Sequence, residues 1–169
     1  INQYAFAGLF ALIVALALYE FHKLTNHQNQ VEVNPVLGII GGVLFFLISF
    51  LVSSGLLPSW LYLVYGLYVV FVIILELFRK KEQPIHNWAY FFLGQIFIAL
   101  PFSLLSYILF IYTYQPIILL ALFVTIWVND TGAYLTGITI GKHRLFERIS
   151  PKKSWEGFLI SLVLTIMFT

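Results

Sequence analysis

Five stretches of this chain run for about the length of a membrane crossing with almost no charge, and that recurrence decides most of what the chain can fold into. A helix needs about 20 mostly apolar residues to traverse hydrocarbon. Such stretches cover residues 4–21, 36–52, 60–78, 88–105 and 117–128, the last continuing toward 134. A sixth begins near Phe158. Short polar breaks separate them, and Trp60, Tyr62 and Trp88 lie near their ends, where aromatic belts form. The expectation is an all-α, polytopic integral membrane protein with five to six transmembrane helices.

The alternative is that these helices form the core of a large soluble protein. Composition argues against it. The chain is 61% hydrophobic and 9% charged, against roughly 25% charged residues in soluble domains. The absence of cysteine removes disulfide frameworks and thiolate metal sites. A net charge of +2 is too small for a nucleic-acid binder. The chain opens at Ile1 and closes at Thr169 inside an apolar run, so a longer polypeptide is expected. The first stretch has no basic region or small-residue cleavage site, so it is not read as a signal peptide.

The placement of charge says more than its sum. Lys23 follows the first stretch, Arg79, Lys80 and Lys81 the third, and Lys142, Arg144, Arg148, Lys152 and Lys153 the fifth. The breaks after the second and fourth hold no Lys or Arg. Alternate loops therefore face opposite sides, the basic ones toward the cytoplasm. Gly38 and Gly42 are spaced for close helix packing, as are Ala133, Gly137 and Gly141. Pro101 should kink or break the fourth helix. Glu20 with Lys23, and Glu76 with Lys80, have the spacing of surface ion pairs.

Polar chemistry gathers in residues 129–157, which divide the chain into 1–128, a cytoplasmic-side polar segment 129–157, and the start of a further helix at 158–169. Asp130 ends an unbroken apolar run, and a carboxylate there normally faces a cavity or a partner. If the helix continues, Asp130, Ala133, Tyr134, Gly137 and Gly141 share one face, and a bare strip beside a carboxylate suits a hydrated ligand cleft. The other reading makes Asp130 the N-cap of a new helix, with Asn129 in the turn. Ser150-Pro151 can open a helix. There Lys152, free backbone amides and the Ser150 hydroxyl could converge on a phosphate. Equally, Lys152 and Lys153 could be an ordinary basic flank, as could Arg144 and Arg148 beside lipid headgroups. Glu156, four residues past Lys152, could pair with it, bind metal or orient a neighbour. His143 reads as a surface histidine.

The run Asn129-Asp130-Thr131-Gly132-Ala133-Tyr134, then Gly137, Gly141-Lys142, and Ser150-Pro151-Lys152-Lys153-Ser154-Trp155-Glu156-Gly157-Phe158 resembles the central region of the phosphatidate cytidylyltransferase (CDP-diacylglycerol synthase) family. The usual pattern there is close to N-D-x-x-A-Y-x-x-G, then G-K, then S-P-K-K-T-W-E-G; Ser154 stands where threonine is commoner. Leu18-Tyr19-Glu20-Phe21, with Lys23-Leu24, and Leu100-Pro101 are similar to the family's N-terminal half, more weakly. The resemblance implies transfer of a cytidylyl group from CTP to phosphatidate, with Mg2+ or another divalent cation. It implies Asp130, Lys152 and Lys153 as catalytic residues and Asp130 as a metal ligand. It implies Asn129, Lys142, Ser150, Ser154 and Glu156 as substrate-binding residues.

CTP, phosphatidate and membrane lipid are the implied partners, with no nucleic acid, a homodimer being one arrangement. The implied location is a bacterial inner (plasma) membrane. The family's C-terminal lysine-aspartate pair and further aspartates do not occur in this chain, which is therefore expected to be inactive alone. Two other readings remain: another CTP- or lipid-phosphate-using membrane enzyme, and a small-solute transporter. The transporter suits Asp130 and the glycine-interrupted helices but lacks an inverted repeat.

Overall fold

Prolines and asparagines set where the helices start. In the computed structural model, which describes residues 2–28, 31–146, 148 and 150–168, α1 (Gln3–Thr25) opens on Asn2, whose side chain accepts from the Tyr4 amide at 2.9 Å. Helix α2 (Pro35–Ser53) opens on Asn34, which accepts from the Val36 amide at 3.0 Å, with Pro35 in the first turn. A 3-10 turn at Ser59–Leu61 leads into α3 (Tyr62–Phe78), and α4 (Pro84–Gly94) again has proline in its first turn. Proline fits there because the first amides have no partner within the helix. This explains why the fourth span begins at Pro84, earlier than the apolar run at Trp88 indicated. Among the described residues, five spans are long and apolar enough to cross a membrane: Gln3–Thr25, Pro35–Ser53, Ser59–Phe78, Pro84–Leu109 and Pro116–Thr139. The polytopic helical expectation holds.

Pro101 neither breaks nor ends the fourth span. A π turn at Gln95–Ala99 precedes α5 (Leu100–Leu109), and the helix continues through it. Proline has no amide to donate and crowds the preceding turn; the wider π turn accommodates it. The turn also aims Gln95 across the bundle. Its Nε2 donates to the Gly38 carbonyl at 2.9 Å, and Tyr65 Oη donates to its Oε1 at 3.3 Å.

The chain divides into two compact units, residues 1–115 and 116–169. Residues 128 and 129, at the start of the polar segment, both lie within one helix. In the first unit, α1 and α2 meet at the expected glycine pair. A Cβ on Gly38 would stand 2.1 Å from His22 Nε2, and one on Gly42 would stand 2.2 Å from Leu18 Cδ1. Gly94 of α4 closes the same pocket, 3.1 Å from Leu18 Cδ2 by the same construction. His22, Leu18 and Val14 are fully buried there. Neither ring nitrogen of His22 has a hydrogen-bond partner among the described residues.

Glu76 does not pair with Lys80. The backbone of Lys80 has a positive φ of 51° just past the end of α3, so the four-residue helical spacing no longer applies. Glu76 is buried instead and accepts from Arg79 Nη1 and from Asn87 Nδ2, both at 2.6 Å. Asn87 Oδ1 in turn accepts from the Glu32 amide at 2.7 Å, and Glu32 pairs with Lys81. This ion pair holds the Glu32 carboxyl below the usual carboxylate range. The network ties the end of α3 to the start of α4 and to the segment before α2. Glu20 and Lys23 form the expected pair at 4.0 Å, exposed and therefore of little energetic weight.

In the second unit, α6 (Pro116–Thr139) runs unbroken through Asn129 and Asp130, so Asp130 is not an N-cap. A two-stranded hairpin follows, β1 (Arg144–Phe146) and β2 (Ser150–Ser154), antiparallel, with Arg144 opposite Ser154 and Phe146 opposite Ser150. Helix α7 (Trp155–Phe168) completes the unit. Ser150-Pro151 therefore opens a strand rather than a helix. Its backbone groups pair with β1, and the helix starts four residues after Pro151.

The glycine contacts predict opposite outcomes at two positions. Gly38→Ala drives a methyl group into the His22 ring and should destabilise the protein by about 1–3 kcal/mol. Gly66→Ala, on α3 with nothing within 4 Å of the added methyl, should be neutral or stabilising by up to about 1 kcal/mol. Thermal unfolding in detergent reads both.

Candidate functional site

Asp130 lies deep within α6. The helix end at Thr139 is nine positions further on, which is about 14 Å at 1.5 Å per residue. Its carboxylate is exposed, with Asn129 Nδ2 donating toward Oδ1 at 3.5 Å. Asn129 Oδ1 accepts from Thr165 Oγ1 of α7 at 3.2 Å. Asn129 thus joins two helices while Asp130 presents its charge outward. Placing a carboxylate in hydrocarbon costs from about 2.5 kcal/mol upward, so Asp130 needs water, a cation or polar groups in front of it.

The bare strip beside Asp130 is not an open cleft. A Cβ on Gly157 would stand 2.8 Å from the Ala133 carbonyl oxygen and 3.4 Å from the Gly137 nitrogen. Backbone contact between α7 and α6 fills the strip where a ligand was expected. A Cβ on Gly141 would likewise meet Ser154 Oγ at 2.6 Å. Small residues serve helix approach here, as they do at Gly38 and Gly42.

Ser154 is the hinge between strand and helix. Buried, it accepts from the Gly157 amide at 3.2 Å, three residues on, which is the geometry of an N-cap. Around it the chain is clasped. The Trp155 amide donates to the His143 carbonyl at 2.9 Å. The His143 amide donates to both Glu156 oxygens, at 3.2 and 3.3 Å, and His143 Nδ1 lies 2.7 Å from Glu156 Oε1. The hydrogen bond to the His143 side chain holds the Glu156 carboxyl well below its ordinary range. Glu156 therefore partners His143; the helical spacing that could pair it with Lys152 does not apply, because the Lys152 backbone belongs to β2, outside α7.

Beside the clasp lies an open cleft of about 670 Å³, lined by Lys142, His143, Arg144, Trp155, Glu156 and Leu159. Lys142 and Glu156 of the sequence-derived set meet there. Asn129, Asp130, Ser150 and Lys153 do not line it. Lys153 is exposed on β2 and Ser150 is half-buried at the strand's start. The backbone of Lys152 belongs to β2, and its side chain lies outside the described part of the structure. The sequence alone gives Arg144 as a basic flank beside lipid headgroups, His143 as a surface histidine and Trp155 only as a member of the family-like block, and does not bring the three together. The available signal was the helical spacing of Trp155 and Leu159, which carries an aromatic rim directly into an apolar run.

The model of the cytidylyltransferase family matches residues 1–169. A phosphatidate cytidylyltransferase of Staphylococcus epidermidis is 27% identical over 174 residues, covering 95% of this chain and 61% of the relative. One of Rickettsia typhi is 30% identical over 143 residues, covering 83% and 59%. One of Haemophilus influenzae is 38% identical over 60 residues, covering 33% and 21%. The chain thus spans about 60% of the length of the relatives it matches most fully.

The cap at Ser154 is open to test. Ser154→Ala should cost α7 about 1 kcal/mol, speeding exchange of the Gly157 amide about fivefold, whereas Ser154→Thr should leave it protected. Hydrogen exchange across residues 155–158 reads the difference.

Proposed function

The chain belongs to the cytidylyltransferase family, and from that premise we propose that the protein makes CDP-diacylglycerol from CTP and phosphatidate. An oxygen of the phosphatidate phosphate bonds to the α-phosphorus of CTP. The bond from that phosphorus to the oxygen bridging toward the β-phosphate breaks, and pyrophosphate leaves. Both substrates are anionic, so stabilising the charge that builds on the transferring phosphate dominates the chemistry. The observation that carries the reading is the motif block itself: Asn129 to Gly157 folds with α7 into one unit that combines an exposed carboxylate, an exposed lysine-bearing strand and a cationic cleft.

In this reading Lys152 and Lys153 of β2 hold phosphates, and Ser150 and Ser154 donate hydrogen bonds. Ser154 accepts from Gly157 through its oxygen and so keeps a hydroxyl hydrogen to donate. Asn129, Lys142 and Glu156 complete the substrate-binding set. Asp130 is the metal ligand. Mg2+ is commonly held by one or two carboxylates together with substrate phosphates, and a single exposed carboxylate beside an amide fits that share. No group of three or more His, Asp or Glu side chains is gathered for metal among the described residues. When bound, such an ion would draw charge from the phosphate oxygens. The basic loops face the cytoplasm of a bacterial inner membrane, where CTP arrives from water and the lipid stays embedded.

In the full-length protein, Asp130→Asn and Lys152→Ala should each lower CTP-dependent conversion of phosphatidate by about a hundredfold or more. Labelled CTP with phosphatidate in mixed micelles reads the product. Near-normal turnover in both variants would remove these residues from the site.

A further inference from the structure

The cleft beside the hairpin plays no part in the roles given to Asp130, Lys152 and Lys153, yet it joins three chemistries in one concavity. Lys142 and Arg144 supply exposed cations. Trp155 stands half-exposed at its rim. Leu159 lies one helical turn further along α7, on the same face, at the start of the apolar run that continues through Ile160 and Leu162. The anion among the lining residues, Glu156, is already occupied by the hydrogen bonds from His143. His143 sits between Lys142 and Arg144 in the chain, so the clasp fixes the backbone that carries both cations.

We propose that this cleft seats the acceptor lipid: the phosphate monoester between Lys142 and Arg144, the glycerol and first acyl carbons against Trp155 and Leu159. The proposal rests on the reading that a membrane-held phosphate is the acceptor. A nucleotide is complementary to the cations and can stack its base on Trp155, but neither it nor free phosphate uses the aliphatic track that continues from Leu159 along a hydrophobic helix. An indole ring with one apolar edge and one polar N–H suits the headgroup level of a bilayer. Glu156 serves substrate binding in this arrangement as a positioning residue, acting through His143 on the cations.

The test uses the full-length protein in phosphatidylcholine vesicles, with Trp60→Phe, Trp88→Phe and Trp127→Phe and any tryptophan elsewhere replaced likewise, so that Trp155 alone fluoresces. Brominated phosphatidate should quench it at least about twofold more than brominated phosphatidylcholine at equal mole fraction. Arg144→Ala with Lys142→Ala should abolish the excess, while CTP and inorganic phosphate should leave it intact. In turnover, each single variant should raise the KM for phosphatidate about fivefold and leave the KM for CTP within twofold. Equal quenching by the two lipids, displacement by CTP, or a rise confined to the KM for CTP would overturn the proposal. Excess quenching without any CDP-diacylglycerol formation would support the lipid seat and defeat the proposed reaction instead.

Discussion

Close approach between helices, made possible by glycine, is the constraint on which the rest of this structure depends. In lipid, burying an apolar side chain against another helix gains little over leaving it among acyl chains, so association relies on close packing and hydrogen bonds. The first unit meets that requirement where His22 and Leu18 press into Gly38, Gly42 and Gly94. The second meets it where Gly157 lies against the backbone at Ala133 and Gly137. That second contact turns α7 back along α6 and so brings Thr165 to Asn129, residues far apart in sequence. Without it the hairpin would have no fixed base and the cleft at its side no second wall.

Polar groups follow the same logic. Glu76, Asn87 and Gln95 are buried, and each is engaged by side chains or backbone of neighbouring helices. A hydrogen bond returns about 0.5–1.5 kcal/mol net, whereas such a group buried without a partner costs about 1–3 kcal/mol; His22, Trp88 and Ser106 bear that cost, with buried side-chain atoms unpartnered among the described residues. In the second unit, the clasp between His143 and Glu156 and the cap at Ser154 hold a loop that carries much of the chain's positive charge. Asp130 differs from these groups in being exposed on an apolar helix, where a carboxylate in hydrocarbon is costly unless water, a cation or a polar group faces it.

Much of this architecture was legible in the sequence because hydrocarbon permits few solutions. Length and apolarity located the spans, and the Gly38–Gly42 spacing was read as packing, which it is. The helix starts were harder to place, since apolarity delays them. Pro84 carried the missing signal for the fourth span. Other features depended on partners that no local pattern encodes. Ser150-Pro151 resembles a helix start until β1 claims its backbone. The glycine strip beside Asp130 resembles a ligand cleft until Gly157 occupies it. Glu76 and Lys80 fit a surface pair only while the helix continues, and it ends between them. Arg144 reads as a flank residue, and Trp155 only as a member of the motif block, because a cleft exists only once hairpin and helix are folded together.

The return of α7 onto α6 can be probed most directly with a cysteine pair at Asn129 and Thr165, in a chain that has no cysteine of its own. After oxidation in membranes and tryptic cleavage in the hairpin, the two pieces should remain joined until a reductant is added. If they separate without reductant, although each cysteine alone is still reactive, the two helices do not meet there. The folded site built on their contact would then be refuted.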